Sequence, residues 1–425
     1  MISRTKLGGS NGGSKAAVWF CGDGLDFGGK AMTSHLMTTY NRLPVAFTHG
    51  QGVWLWDTQG RRYLDALAGI GVSGLGHAHP KVVRAIADQA AKVIHTSNLY
   101  EIPLQSALAD RLCDLSGMDE VFFCSSGSEA NEAAIKLARL YGHQQGVHNG
   151  HIVVMERAWH GRTLATLSAT GNRKAQAGFE PLVTGFIRVP YNDGDAVRQV
   201  AEGNQPVVAI LMEVLQGEGG INVADLDYVR FLRRVCDDKG WLLMIDEVQS
   251  GIGRTGRWFG YQHAGIDPDV ITLAKGLGSG VPIGACIGAR RAKGVFKAGN
   301  HGGTFGGGPM VCAAALATLE AMANEGLLAN AERMGELIRG SLREALAAAA
   351  GVVSIRGMGL MIGVELDRPC SELVKHALDA GLLINVTADR VVRLLPPLVI
   401  GEHESRELAS RLAALIRDFL ARPTA

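Results

Sequence analysis

The chain lacks what most specialised protein classes need. Its 425 residues contain no apolar run of the ~18 residues a membrane span requires. Lysine and arginine number 42 against 41 aspartates and glutamates, a net charge of +1. Neither sign is in excess, which argues against an electrostatic grip on nucleic acid or an anionic membrane. The seven cysteines (Cys21, Cys113, Cys124, Cys236, Cys286, Cys312 and Cys370) are odd in number, scattered, and form no CxxC pair. That speaks against a disulfide frame or a zinc site and for buried thiols in a reducing, cytoplasmic setting. There is no Walker A pattern. Glycine, by contrast, is abundant at 56 residues, about twice the usual share. It has no G-X-Y period, so it speaks for tight turns and close backbone–ligand approaches rather than collagen.

Residues 1–31 include a linker-like Gly8-Gly-Ser-Asn-Gly-Gly-Ser14 and no apolar segment after Lys6 or Lys15. They read as a disordered extension rather than a secretory signal. Residues 51–65 alternate as a strand pair around Thr58-Gln59-Gly60. From about residue 80 short apolar strands (Val121–Phe123, Ile152–Met155, Val207–Met212, Trp241–Ile245, Val270–Ala274) alternate with helices (Leu104–Leu115, Glu129–Tyr141, Tyr228–Lys239). Continuous apolar strands between helices predict a parallel sheet covered on both faces, with ligands beyond the carboxyl ends of the strands. After residue 325 the pattern becomes that of a smaller α+β region. Its helices are Leu327 to about Ala349, Ser371–Ala380 and Glu402–Leu420. Its strands are Leu360–Leu366, Leu382–Asn385 and Val391–Leu394. The expected organisation is an extension (1–31), a segment joining the small domain (32–78), a large domain (79–325) and a C-terminal small domain (326–425).

Two strand ends carry the chemistry. One apolar strand ends in Asp246 and another runs into Lys275 and a glycine-rich stretch. A lysine directly after an apolar strand is unusual, and desolvation would lower its pKa and free its amine. An active amine, a neighbouring carboxylate and a phosphate cradle are what pyridoxal phosphate requires. Cys124-Ser-Ser-Gly-Ser-Glu129 joins a strand to a helix, with capping-box spacing between Ser126 and Glu129. That helix start, with the Ser126 and Ser128 hydroxyls, suits a dianion. Trp159 follows a strand end, where an aromatic stacks on a flat ring, and Arg162 has the chemistry to clamp a carboxylate. Each of these has a plain structural reading as a cap, packed ring or solvated charge; their combination carries the functional one. Gly251-Ile-Gly-Arg-Thr-Gly256 spells GxGxxG but neither follows a strand directly nor opens a helix, so a dinucleotide site is not expected. His77-Ala-His79 and His143, His148 and His151 lack acidic or cysteine complements, so no metal site is expected.

Taken together, Gly74-Leu-Gly-His-Ala-His-Pro80, Ser126-Gly-Ser-Glu-Ala-Asn131, Trp159-His-Gly-Arg-Thr163, Glu213-Val-Leu-Gln-Gly-Glu-Gly-Gly220, Asp246-Glu-Val-Gln249, Gly253-Arg-Thr-Gly256, Ala274-Lys-Gly-Leu277 and Gly303-Thr-Phe-Gly306 resemble the class-III (ω-amino-group) aminotransferases. The likeness runs from about Thr39 to Leu420 and is nearest to the branch acting on acetylornithine. It implies an α/β, aspartate-aminotransferase-like (fold type I) pyridoxal-phosphate enzyme with a mostly parallel large-domain sheet. It also implies roles: Lys275 for the cofactor Schiff base and proton shuttle, Asp246 for the ring nitrogen, Gln249 for the phenolic oxygen, and Ser126, Gly127 and Ser128 for the phosphate. Trp159 takes the ring-stacking place usually held by phenylalanine. Thr304 would reach the phosphate of a partner subunit in a homodimer with shared sites. Arg162 would bind the carboxylate remote from the reacting amine, and Arg393 the α-carboxylate of glutamate. Glu218 would mask Arg393, and Asn98 and Gly303 would lie near the substrate. The implied reaction is ping-pong transfer of the δ-amino group of N2-acetyl-L-ornithine to 2-oxoglutarate. Succinylornithine, ornithine, 4-aminobutyrate and N-succinyl-diaminopimelate remain alternative partners, and a non-catalytic cofactor-binding regulator is a remote one.

Overall fold

Apolar runs of four to six residues have no polar face to give to water, so they pair inside a sheet covered on both sides. The computed structural model describes residues 35–422, and so the expected extension over residues 1–31 lies outside the described residues, as does Cys21. The chain divides into two compact units, Met1–Pro44 and Val45–Ala425. Of the first, residues 35–44 are described and form no helix or strand.

In the second unit seven strands form one sheet. Their spatial order is Glu120–Cys124, Gly284–Gly288, Val270–Leu273, Leu242–Asp246, Val207–Met212, His151–Met155 and Phe186–Val189. The last five in that order pair in parallel. Alternate residues serve opposite faces. Val153, Ile210, Leu243 and Ile271 join a core with Tyr228, Val229 and Leu232 of the helix Leu226–Lys239. Ile152, Leu211, Leu242 and Val270 join another with Ala134, Ile135 and Leu137 of the helix Gly127–Gln144.

The sheet is mostly parallel, as expected, and one strand runs the other way. Gly284–Gly288 inserts between Val270–Leu273 and Glu120–Cys124 and is antiparallel to both. Its sequence, Gly-Ala-Cys-Ile-Gly, has few of the β-branched and aromatic residues that mark a strand, and sequence reading passes over it.

The C-terminal residues build an antiparallel sheet in the order Val352–Met358, Met361–Leu366, Val391–Leu394, Asn385–Thr387. The first of these strands was not anticipated, and the expected strand Leu382–Asn385 is split in two. Its first part, Leu382–Leu383, leaves that sheet and pairs in parallel with Arg62–Asp65 of the N-terminal strands Phe47–Gln51, Trp54–Asp57 and Arg62–Asp65. The GxGxxG stretch is a run of turns that opens no α-helix; a 3-10 helix, Gly260–His263, follows it. Its buried Arg254 donates to the carbonyls of Leu360 (3.1 Å) and Pro396 (2.5 Å), fixing the C-terminal segments against this loop. Among the described residues no single helix is long and apolar enough to cross a membrane.

In the helix Leu327–Ala345, Gly335 backs onto Gly359, and a β-carbon at 335 would lie 1.9 Å from the Gly359 carbonyl oxygen. Helix propensity alone makes Gly→Ala favourable by about 1 kcal/mol; here steric conflict reverses the sign. Gly335→Ala should cost more than about 2 kcal/mol in urea unfolding. Gly340→Ala on the same helix meets nothing within 4 Å and should instead gain up to about 1 kcal/mol.

Candidate active site

The carboxyl ends of the strands converge on a cavity of about 380 Å³, whose lining includes Ser126, Trp159, Glu213, Asp246, Gln249 and Lys275. Asp246 is the last residue of its strand and is buried. A buried carboxylate needs donors, and three are present. Asn131 Nδ2 and His160 Nδ1 each lie 2.8 Å from Oδ2, and the Val248 N–H lies 3.0 Å from Oδ1. Asn131 is itself oriented by Thr272, whose hydroxyl donates to Asn131 Oδ1 at 2.8 Å. This donor set suits a carboxylate held ready for a protonated ring nitrogen. His160, Asn131 and Thr272 were not singled out from sequence. The signal was available only in three dimensions, because they stand 86, 115 and 26 positions from Asp246.

Lys275 follows the neighbouring strand. Its backbone has φ 42°, in the left-handed region. Its amine makes no hydrogen bond or ion pair with any described residue, and burial lowers its pKa, opposed by the charges of Glu218 and Asp246. An unpartnered, easily deprotonated amine beside the cavity is a nucleophile and a base.

The helix Gly127–Gln144 starts at the cavity edge. Ser126 is its N-cap, with Oγ accepting from the Glu129 N–H at 3.2 Å. The expected capping box is shifted by one residue, since the Glu129 carboxylate accepts from the Ser125 N–H rather than that of Ser126. The amides of Gly127 and Ser128 are left without intrahelical partners, as first-turn amides are, and line the cavity. Such a helix start has the donors to receive a phosphate dianion.

Arg393 comes from the C-terminal sheet and is fully buried. Nη1 contacts Glu218 Oε1 at 2.5 Å and Gln249 Oε1 at 3.1 Å, and Nε donates to Asn385 Oδ1 at 2.9 Å. Nη2 is buried without a partner. Gln249 spends its carbonyl oxygen on Arg393, leaving its amide N–H groups available in the cavity.

Not every expected residue meets here. Thr304 and Gly303 line a second hollow of about 270 Å³ with Phe122, Ser125 and Glu129. Asn98 sits beside them, donating to the carbonyls of Gly303 (3.3 Å) and Gly306 (3.1 Å). Arg162 is exposed, with its Cζ 4.8 Å from the Trp159 ring centroid. The histidines are dispersed. His77 pairs with Asp65 and His79 with Glu325, while His143 and His148 meet each other.

The unpartnered Lys275 amine, the three-donor Asp246, the helix-start amides and the flat face of Trp159 together match the aldehyde, ring nitrogen, phosphate and ring of pyridoxal phosphate. The residues present fit that cofactor.

Two further carboxylates are buried near Asp246, and Glu213 also lines the cavity. Glu213 directly follows its strand and accepts from the N–H groups of Trp159 (2.9 Å) and Gly217 (3.2 Å). Glu247 accepts from the Ser250 hydroxyl (2.7 Å) and the N–H groups of Gly260 (2.9 Å) and Tyr261 (2.8 Å). Burial pushes both up to about 7, with the Asp246 charge adding to it. A raised acid binds its proton more tightly when folded, so this stability is complete below the unfolded value and lost as pH rises through about 7. The stability of the parent protein relative to Glu247→Gln should therefore fall by about 1–3 kcal/mol between pH 5 and 8, read from urea midpoints.

Comparison with known proteins agrees with this geometry. Residues 36–416 match the family model for aminotransferase class-III. Acetylornithine aminotransferase 1 of Bordetella bronchiseptica is 60% identical over 390 residues, covering 92% of this chain and 99% of that protein. The acetylornithine aminotransferase of Nitrosomonas europaea is 58% identical over 387 residues, 91% and 98% of the two chains. Among solved structures, the ornithine aminotransferase of Toxoplasma gondii ME49 superposes with a TM-score of 0.87 at 32% identity, covering 91% of this chain and 93% of that one. The acetylornithine aminotransferase of Elizabethkingia anophelis gives 0.81 at 32% identity, covering 91% and 97%. A cavity at the strand ends, built around Asp246 and Lys275, thus belongs to a pyridoxal-phosphate-dependent enzyme, and the chain is a member of the class-III aminotransferases.

Proposed function

We propose that this enzyme transfers the δ-amino group of N2-acetyl-L-ornithine to 2-oxoglutarate, giving N-acetyl-L-glutamate 5-semialdehyde and L-glutamate, a step of arginine biosynthesis. The names of relatives at 58–60% identity support the substrate. The geometric observation that carries the reading is Arg393, buried, paired with Glu218 and left with one free Nη2.

The two substrates differ in what they bring to the reacting carbon. The ω-amine substrate carries only hydrogens there, whereas glutamate carries a carboxylate. With Glu218 on Arg393, no bare guanidinium competes for the remote carboxylate of acetylornithine. When glutamate enters, its α-carboxylate takes the place of Glu218 and engages Nη2 as well. Glu218 is 29% exposed and has room to swing out. Arg393 is thus never buried without a counter-charge, a state that would cost several kcal/mol.

Pyridoxal phosphate, when bound, supplies the aldehyde that accepts the amino group and an electron sink for the carbanion. Lys275 Nζ would hold it, then take and return the proton at the reacting carbon. Asp246 would keep the ring nitrogen protonated, Gln249 would donate to the phenolic oxygen, and Ser126, Gly127 and Ser128 would receive the phosphate. Arg162 would bind the carboxylate remote from the amine. The order is ping-pong, with one pocket serving both substrates in turn.

A homodimer is part of this reading. Leu99, Tyr100 and Phe305 are 87%, 70% and 69% exposed beside Asn98, Gly303 and Thr304. A second copy covering them would bring its Thr304 towards the phosphate. A reducing compartment, the cytoplasm, suits the six described cysteines, all free thiols.

The substrate is tested by titrating the yellow holoenzyme with N2-acetylornithine without oxo acid. Bleaching of the cofactor band, reversed by 2-oxoglutarate, is expected; an unchanged band rejects this donor and directs the test to ornithine and 4-aminobutyrate. Lys275→Ala should abolish turnover while retaining weak cofactor binding, and full transamination by this variant would overturn the role of Lys275. Glu218→Gln should shift the ratio of half-reaction rates towards glutamate by about tenfold or more, the scale of one charged hydrogen bond.

A further inference from the structure

The guanidinium of Arg162 has no ion pair and no side-chain hydrogen bond among the described residues. Its one recorded contact is the Trp159 ring, with Cζ 4.8 Å from the centroid. Without such a seat an exposed arginine would sample many rotamers and lose that freedom when it binds a ligand.

The backbone beneath it is held at every residue. The Trp159 N–H donates to Glu213 at 2.9 Å, and the His160 N–H to the Thr170 hydroxyl at 3.0 Å. Gly161 has φ 141°, and a β-carbon there would lie 2.4 Å from Ser128 Oγ. The Arg162 N–H donates to that same hydroxyl at 3.3 Å, and the Thr163 hydroxyl to Glu132. Since the loop is fixed, the position of the guanidinium is decided by its side chain alone, and the indole is the surface that receives it. Trp159 also lines the cavity. One ring therefore borders the cavity and seats the Arg162 guanidinium.

We propose that Trp159 is a specificity-determining positioning residue. Its indole seats Arg162 so that an amine or oxo acid with a carboxylate remote from the reacting carbon meets a preorganised guanidinium. This rests on the reading of Arg162 as the remote-carboxylate clamp. Tryptophan offers the strongest cation–π face, so phenylalanine at this position should seat the arginine less well and leucine not at all.

The test compares holoenzyme variants Trp159→Phe, Trp159→Leu and Arg162→Gln. kcat and KM are measured for N2-acetylornithine and for n-pentylamine, which lacks the carboxylate, and glutarate binding is measured by calorimetry. Trp159→Leu should raise KM for acetylornithine and Kd for glutarate by about 2- to 5-fold, the scale of an exposed cation–π contact, beyond any change with n-pentylamine. Trp159→Phe should fall between it and the parent, which also covers the case where the leucine variant folds poorly. In the Arg162→Gln background the Trp159 substitutions should add no carboxylate-specific loss. Equal losses for both amines with unchanged glutarate binding in the Trp159 variants would overturn the proposal while leaving the clamp intact. An unchanged preference for carboxylate-bearing ligands in Arg162→Gln would overturn the clamp itself, and the proposal with it.

Discussion

A single buried negative charge organises the centre of this protein. Asp246 sits at the end of a fully buried strand, where an ion without partners would be untenable. Its donors come from three separate segments. Asn131 belongs to the helix Gly127–Gln144, His160 to the loop after His151–Met155, and the Val248 amide to the turn that Asp246 itself begins. Satisfying that carboxylate therefore fixes the relative positions of the start of the helix Gly127–Gln144, the Trp159 loop and the turn after Asp246. Thr272, one strand over, sets Asn131 and extends the same constraint to the segment bearing Lys275.

Arg393 imposes a comparable demand from the C-terminal sheet. Its guanidinium reaches Gln249, three residues beyond Asp246, and Glu218, carried by the turn after the Glu213 strand. Glu213 ties the Trp159 loop to the start of the Glu218 turn through two backbone amides. The Trp159 loop and the turn whose Glu218 pairs with Arg393 are thereby held from one side chain.

Much of this was legible in the sequence because it depends on local pattern. The apolar runs ending at Asp246 and leading to Lys275 were readable as strands, and Val207–Met212, Val391–Leu394 and Glu402–Leu420 fall where the pattern put them. What the sequence hid depends on tertiary context. Gly284–Gly288 has weak strand propensity and is a strand because two neighbours flank it. Glu129 satisfies Ser125 instead of its usual capping partner, a choice invisible in the spacing. Glu213 and His160 lie inside the quoted motifs, yet their work is done by contacts across long separations. Arg254, within a misleading glycine pattern, proves to be a buried tie to the carbonyls of Leu360 and Pro396.

Lys275 occupies a left-handed backbone position, φ 42°, that glycine enters freely and other L-residues enter at a cost of about 1–2 kcal/mol. Its amine is also desolvated without a hydrogen bond in compensation. The chain thus keeps at this position a residue that both its backbone and its solvation disfavour. Stability alone would favour glycine here, so the position trades folding free energy for an amine at the edge of the cavity.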